Sequence, residues 1–359
     1  MRKLRNIALL LVAFFATLII SLCLLYNYGI GSVDSKNDKT ILVEIKEGNS
    51  SSDIAKILKE KELIRNEIVF KIYLKINNIR DLKGGYFELN QSMNVEQIVD
   101  KMRKGDTVDP NAITVLFKEG LNIREIAQII AENTNNTEDN VFETLNDSEY
   151  IDSLIEKYWF LTEDIKHPSI YYPLEGYLFP NTYTFKDKNV SVKEIFGKML
   201  DEMQTRLDKY KSDIENSNYS IHELMTIASV AELEGISIDD RKNIVGVFYN
   251  RLKKKMSLGS DVTTYYAFKI SMGERDLTTK EINTYNAYNT RGPNMTGKIP
   301  VGPISNPSKE AIEAAIYPTS NDYLYFVADK DRKIYFTKTQ DEHDKKVNEL
   351  KDKGLWIAW

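Results

Sequence analysis

A run of twenty uncharged residues constrains this chain more than any other feature. It extends from Ile7 to Tyr26, and its only mildly polar members are Thr17 and Ser21. A helix of this length is about 30 Å long, which matches the hydrocarbon thickness of a bilayer. Cleaved signal peptides, the alternative, have apolar cores of roughly 7–15 residues that end in small residues. The sequence therefore predicts a transmembrane helix over residues 7–27.

The basic residues around this run predict its orientation. Three of them lie within residues 1–6, and the next along the chain is Lys36. By the positive-inside rule, residues 1–6 are cytoplasmic and the rest of the chain lies outside the cell membrane. Residues 28–40 are small and polar, as is typical of a linker.

The overall composition excludes several functional classes. The 359 residues include 48 Lys and Arg against 53 Asp and Glu, a net charge of -5, which argues against a nucleic-acid partner. The single cysteine, Cys23, lies in the apolar run, and the three histidines, His167, His222 and His343, are far apart. We therefore expect no disulfide scaffold and no His-rich or cysteine-based metal site. Carboxylates are the expected chemical groups of any enzyme here.

Two segments of the chain repeat at an offset of 72 residues. They are Ile41–Leu58 and Ile113–Ile130, and both contain Lys-Glu-Gly between an alternating strand and an amphipathic helix. This unit resembles the start of a LysM module, a β-α-α-β fold that commonly binds N-acetylglucosamine chains. We predict a LysM-like module over 41–110 and a second repeat unit with connecting helices over 111–167. A small spacer without a ligand is the alternative interpretation.

Residues 168–359 differ from the repeats in their sequence pattern, which indicates aromatic-rich loops, long helices and a final strand pair. They are predicted to form a mixed α+β domain. Aromatic residues concentrate in Tyr171–Phe185, where tyrosine and asparagine side chains suit sugar rings or, equally, an aromatic core. Segments Tyr323–Asp329 and Lys333–Phe336 predict a hairpin, followed by a helix from about residue 341 to residue 353. The expected fold class of the whole chain is α+β with one transmembrane helix.

The segment Ser220–Gly235 predicts the most informative helix. Ser220 and Glu223 form a capping box, and Gly235 is a natural stop. On a helical wheel Glu232 lies in the middle of the apolar stripe, whereas Glu234 lies on a more polar side and is expected to face water.

A charged carboxylate on an apolar face is costly, so we expect Glu232 to be protonated near neutral pH unless a cation pairs with it. A protonated carboxyl is what a general acid for glycosidic cleavage requires. The alternative is a buried ion pair, for which Arg251 of the next predicted helix is the expected partner.

Eight sequence segments, including the end of this predicted helix, make the chain resemble the YceG-like endolytic murein transglycosylases, and the resemblance covers nearly the whole chain. The motifs are LEGYLFPNTY (174–183), IASVAELEG (227–235), VFYNRL (247–252), LGSDVTTYYA (258–267), AYNT (287–290), PVGPISNPS (300–308) and YLYFVAD with TKTQDEH (323–329 and 337–343).

The resemblance implies an activity and a set of residues. The family's catalytic glutamate corresponds to Glu232, and the implied reaction cleaves the β-1,4 bond between N-acetylmuramic acid and N-acetylglucosamine, which leaves a 1,6-anhydromuramic end. The implied partners are nascent peptidoglycan strands and, near them, the synthases whose elongation the cleavage terminates. The implied substrate-binding residues are Glu175, Asp261, Thr263, Tyr266, Tyr288 and Asn289. The implied reaction requires no metal and no organic cofactor.

Two alternatives remain open at this point. One is a muramidase that uses Glu232 with Asp261 as a second carboxylate, and the other is a non-catalytic cell-wall tether. The chain also departs from the family pattern, since Gly259, Val262, Arg291 and Ile334 stand where members often have Gln, Pro, Tyr and His.

Overall fold

The apolar N-terminal run forms the first helix of the chain. A computed structural model describes residues 2–356. Helix α1 spans Arg2–Ile30, and within it Arg5–Ile30 is long and apolar enough to cross a membrane, with a mean hydropathy of 2.9. It is the one helix of this kind in the described part of the chain. The helix continues three residues past the predicted end of the span at residue 27, so the linker begins later than expected.

The chain divides into two compact units between Ala112 and Ile113. After α1, the N-terminal unit (residues 2–112) contains strand β1 (Ile41–Ile45), helices α2 (Ser51–Glu60) and α3 (Glu67–Ile76), strand β2 (Gly85–Leu89) and helix α4 (Val95–Lys104). Strands β1 and β2 pair antiparallel, with Val43 opposite Phe87. Both side chains lie in a core of their own beneath the helices. The first repeat therefore has the strand-helix-helix-strand order that the sequence predicts, while its likeness to LysM stays a prediction.

The C-terminal unit (residues 113–356) begins with the second repeat. Its first elements are strand β3 (Ile113–Phe117) and helices α5 (Ile123–Asn133), α6 (Glu138–Asn146) and α7 (Ser148–Lys157). Strand β3 pairs antiparallel with β4 (Asn181–Phe185), which the LEGYLFPNTY motif supplies. The second repeat and the region after residue 168 thus share one sheet and one hydrophobic core. The predicted domain boundary between residues 167 and 168 is therefore wrong.

The remaining elements of this unit include two adjacent helices, a hairpin and a C-terminal helix that the sequence predicts, together with helices that it does not predict. They are helices α8 (Val192–Leu207), α9 (Lys211–Glu215), α10 (Ile221–Glu234), α11 (Ile238–Lys253), α12 (Asp261–Ala267), α13 (Thr279–Ile282) and α14 (Lys309–Ile316), strands β5 (Tyr325–Ala328) and β6 (Ile334–Thr337), and helix α15 (Gln340–Asp352). Strands β5 and β6 form the predicted hairpin.

Helix α10 lies at the centre of the C-terminal unit. Its bounds match the prediction because Ser220 caps it, in a capping box with Glu223, and Gly235 follows its last residue. Every residue from Leu224 to Ala231 is buried, including the polar Thr226 and Ser229. The helix is therefore enclosed on all sides and has no single apolar stripe, so a helical wheel cannot tell its faces apart.

Candidate active site

The carboxylate of Glu232 lies in the last turn of α10 and is held by three donors. Its Oε1 accepts a hydrogen bond from Nη2 of Arg241, at 2.7 Å. Its Oε2 accepts one from the backbone N–H of Ser308, at 2.9 Å, and another from the Ser308 hydroxyl. The side chain of Glu232 is 6% exposed and that of Arg241 is 13% exposed. The pair is thus nearly enclosed, and a guanidinium stabilises the ionised form of such a carboxylate.

The expectation of an unpaired acid on an apolar face is therefore wrong, and the ion-pair alternative is correct with a different arginine. Arg251 donates instead to the backbone carbonyls of Ser257, Leu258 and Leu324. Arg241 reaches Glu232 because only three residues separate the end of α10 from the start of α11.

The turn between the two helices depends on Gly235. A Cβ atom at Gly235 would lie 2.6 Å from Cγ of Arg241 and 3.1 Å from its Cα, so a larger residue would push the arginine away. The Nε atom of Arg241 is buried and has no hydrogen-bond partner among the described residues. The same arginine thus holds Glu232 and keeps one donor unused.

The PVGPISNPS motif forms the loop that carries Ser308 to Glu232. The N–H of Ile304 donates to the hydroxyl of Ser229 at 3.0 Å, and the Ser305 hydroxyl donates to the Ser229 carbonyl at 3.1 Å. Ser308 is also the N-cap of α14, because its hydroxyl accepts from the N–H of Ala311. The N-terminal end of α14 therefore points toward the Glu232 carboxylate, where its partial positive charge is favourable.

The turn of the second repeat also contacts this end of α10. Gly120 has a φ of +78°, and a Cβ atom there would lie 3.2 Å from Cδ2 of Leu233 and 3.7 Å from Cγ of Glu232. Its N–H donates to the carbonyl of Asn306 at 2.9 Å. The Lys-Glu-Gly motif that marks the second repeat therefore lies, through Gly120, next to Glu232.

The second glutamate of the ELEG sequence, Glu234, has a different environment from the predicted one. Its Oε1 accepts a hydrogen bond from the Ser260 hydroxyl at 2.6 Å. Burial raises its pKa to about 6; the charge of Asp261 adds to the increase, while the Ser260 hydrogen bond opposes it. The expectation that Glu234 faces water is wrong, because Ser260 and Asp261 at the start of α12 cover it.

Asp261 lies beside Glu234 and pairs with Arg291. The Nη2 of Arg291 is 3.0 Å from Oδ2 of Asp261, and Nε of the same guanidinium contacts Oδ1. The guanidinium of Arg291 thus contacts both carboxylate oxygens of Asp261.

Comparison with known proteins decides the family. The sequence model of the YceG-like family matches residues 43–349. The chain belongs to the YceG-like family. It is 37% identical over 318 residues to a Bacillus subtilis protein named endolytic murein transglycosylase, covering 87% of this chain and 85% of that one. A Streptococcus pneumoniae protein of the same name is 34% identical over 344 residues; the match covers 90% of this chain and 61% of the streptococcal protein.

A solved structure supports the same assignment. The crystal structure of a YceG-like protein from Listeria monocytogenes, at 2.6 Å resolution, is 40% identical in sequence. It superposes with a TM-score of 0.61, over 86% of this chain and 99% of that one.

Glu175 of the YceG-like chain is buried in the core, where it joins three segments. Its carboxylate oxygens accept from the N–H of Ile123 at 3.1 Å, from the Tyr266 hydroxyl at 2.9 Å and from the Asn306 amide at 3.3 Å. Burial raises its pKa to about 8. Glu175 is 1% exposed and Tyr266 is 5% exposed. Their contacts indicate that they fix the start of α5, and their role in substrate binding stays a prediction.

Three further predicted substrate-binding residues, Thr263, Tyr288 and Asn289, are buried as well, whereas the Asp261 side chain is 35% exposed. The amide of Asn289 accepts from the Thr264 hydroxyl at 2.6 Å, and its NH₂ group donates to the carbonyls of residues 281, 282 and 284. The Thr263 hydroxyl donates to the carbonyl of Ser260 at 2.6 Å, and the Tyr288 hydroxyl accepts from the N–H of Tyr171 at 3.2 Å. Their polar atoms are thus occupied within the protein, and contact with a sugar stays a prediction.

Proposed function

We propose that this YceG-like protein is a membrane-anchored lytic transglycosylase that cleaves the β-1,4 bond between N-acetylmuramic acid and N-acetylglucosamine. The observation that carries the proposal is Glu232, fixed by Arg241 and Ser308 at the end of a helix whose middle is buried. Groups that perform acid-base chemistry require such fixed geometry. The names of the Bacillus and Streptococcus relatives give the same class of reaction.

In the proposed reaction Glu232 acts first as an acid and then as a base. Its carboxyl gives a proton to the glycosidic oxygen, and the bond between that oxygen and C1 of the muramic acid breaks. The resulting carboxylate takes the proton of the muramic C6 hydroxyl, whose oxygen forms a bond to C1. No water is consumed, and the intramolecular attack avoids the entropic cost of bringing in a second molecule.

The ion pair with Arg241 matches the second half of this cycle. A carboxylate that has given up its proton is stabilised by the guanidinium and by the two donors of Ser308. The first half of the cycle needs the protonated form of Glu232, so the contact with Arg241 has to loosen when the glycan binds.

A two-carboxylate muramidase remains the second candidate, with a different pair of residues. Glu234 and Asp261 are close enough for the charge of Asp261 to raise the pKa of Glu234. A hydrolase uses one protonated and one ionised carboxyl group. In this candidate Glu234 is the acid and Asp261, which pairs with Arg291, is the base or nucleophile.

Mass spectrometry of digested peptidoglycan separates the two candidates. We expect anhydromuramic ends from the full-length protein and none from the Glu232→Gln variant, while the Glu234→Gln variant still produces them. Reducing muramic ends, each with one added water, would contradict the proposal and support the muramidase. Circular dichroism of each variant confirms that loss of product reflects chemistry rather than misfolding.

We further propose that α1 spans the cell membrane with residues 1–6 in the cytoplasm, so that residues 113–356 act outside it on nascent strands. The basic residues before the span and the exposed apolar side chains along α1 support this arrangement. Cleavage there would terminate strands that synthases are still extending. Resistance to extraction by alkaline carbonate, and protease accessibility of the C-terminal unit in intact spheroplasts, test the anchor and its orientation.

A further inference from the structure

Helix α3 of the N-terminal unit has an exposed apolar stripe on its surface. Ile68, Ile72 and Ile76 are 63%, 41% and 68% exposed. They are four residues apart, so their side chains form one continuous row. The opposite side of the helix uses Phe70 and Leu74 in the core, and the row is therefore not needed for folding. An uninterrupted row of exposed isoleucines marks an interaction surface.

The same helix packs against the C-terminal end of α1. The Arg65 guanidinium donates to the carbonyl of Tyr28 at 2.9 Å and lies 4.1 Å from the centre of the Tyr28 ring. Gly29 is so close to Val69 that a Cβ atom on the glycine would lie 2.8 Å from Cγ2 of Val69. Helix α3 is therefore fixed at the point where the proposed membrane span ends.

The charges beside the stripe fit a bilayer surface. Lys71 and Lys75 lie along one edge of the isoleucine row, and neither has an ion-pair partner among the described residues. Long lysine side chains beside an apolar row extend toward lipid phosphates, as in helices that lie in the membrane interface. Tyr28, which is 66% exposed at the end of α1, is a residue type enriched at that depth.

From these contacts we infer that α3 lies in the headgroup region of the outer leaflet, with the Ile68, Ile72 and Ile76 row against the acyl boundary. The inference rests on the proposed membrane span of α1. Lipid is the expected partner of the isoleucine row, because the row begins beside the end of the span and has lysines along its edge. The N-terminal unit is then held against the membrane by two contacts, the span and the stripe.

Three single-cysteine forms of the full-length protein test this inference. Native Cys23 lies in the proposed span and reports on the anchor. In a Cys23→Ser background, Ile72→Cys reports on the stripe and Lys59→Cys, on the exposed side of α2, is the matched control. Each is labelled with bimane and reconstituted in vesicles of phosphatidylcholine and phosphatidylglycerol that contain nitroxide-labelled lipids.

The expected result is several-fold stronger quenching of the label at position 72 than at position 59, with a blue-shifted emission. Equal, weak quenching at both positions together with strong quenching at Cys23 would overturn the inference and leave the anchor intact. Weak quenching at Cys23 would overturn both the anchor and the inference. Adding Lys71→Glu and Lys75→Glu should reduce quenching at position 72 in these anionic vesicles. In vesicles of pure phosphatidylcholine the same substitutions should leave the quenching unchanged. No reduction in the anionic vesicles would contradict the role of the lysines.

Discussion

Two glutamates at the same end of α10 have opposite environments. Glu232 is held by a guanidinium and by the two donors of Ser308, whereas Glu234 has the Ser260 hydroxyl, and burial raises its pKa to about 6. Residues two positions apart in a helix point to nearly opposite sides. The comparison shows that one helix end can present two carboxyl groups with different hydrogen-bond partners. Which of them performs the chemistry is then a question of position relative to the glycan.

The sharpest test of this comparison is a pair of isosteric substitutions. We expect Glu232→Gln to reduce the rate of strand cleavage by about 10²–10⁴-fold, because the amide can neither give nor take the proton. Glu234→Gln should keep most of the activity. Rates are measured by release of anhydromuropeptides from defined glycan strands at saturating substrate. The reverse ranking, a large loss for Glu234→Gln and a small one for Glu232→Gln, would transfer the acid role to Glu234.

The sequence could predict α10 and its catalytic candidate because the signals are local. The Ser220 capping box and the Gly235 stop fix its bounds, and the ELEG motif identifies Glu232. The partner of Glu232 could not be predicted in the same way. Arg241 and Arg251 are both in α11, and only the tight turn at Gly235 brings the first against the end of α10.

The environment of Glu234 and the position of the second repeat depend on contacts between distant segments. A helical wheel describes the faces of one helix, whereas Ser260 returns to cover Glu234 from 26 residues further along the chain. The repeat was recognisable from its Lys-Glu-Gly motif, but strand periodicity does not select a partner strand. In the structure β3 pairs with β4, and the turn at Gly120 therefore lies against Glu232.

Replacing Arg241 tests how much its ion pair with Glu232 contributes to the stability of the fold. We expect Arg241→Met to destabilise the protein by about 3–5 kcal/mol, because it leaves an uncompensated carboxylate in a nearly enclosed site. Thermal unfolding in detergent measures the effect. In the Glu232→Gln background the same substitution should cost much less, since no charge is left unpaired. An equal cost in both backgrounds would mean that Arg241 stabilises the fold without acting on Glu232. Lys253→Met, at an exposed site of the same helix, is the control for loss of a cation.

The raised pKa of Glu234, the last residue of α10, should make the free energy of unfolding depend on pH. Its pKa is raised from 4.5 to about 6 in the folded protein, so the folded state holds the proton more tightly than the unfolded state. The resulting contribution, about 2 kcal/mol, is complete below pH 4.5 and is lost as the pH rises through about 6. Glu234→Gln should reduce the slope of the unfolding free energy across this window, where Glu175, with its pKa of about 8, supplies the slope that remains. Glu223→Gln on the first turn of α10 should leave the full slope in place. An unchanged slope in the Glu234→Gln variant would contradict the assignment.

The smallest expected effect comes from the serine that bonds Glu234. Ser260→Ala removes one hydrogen bond, which is worth about 1 kcal/mol, and that bond lowers the pKa of Glu234. The pH at which stability falls should therefore move upward, while the cleavage rate stays near that of the unaltered protein. Ser308→Ala is the matched variant on the Glu232 side, and it should slow cleavage because it removes a donor to the reacting carboxylate. Each serine contacts only one of the two glutamates. If Ser260→Ala abolished activity and Ser308→Ala retained it, the acid would therefore be Glu234 and not Glu232.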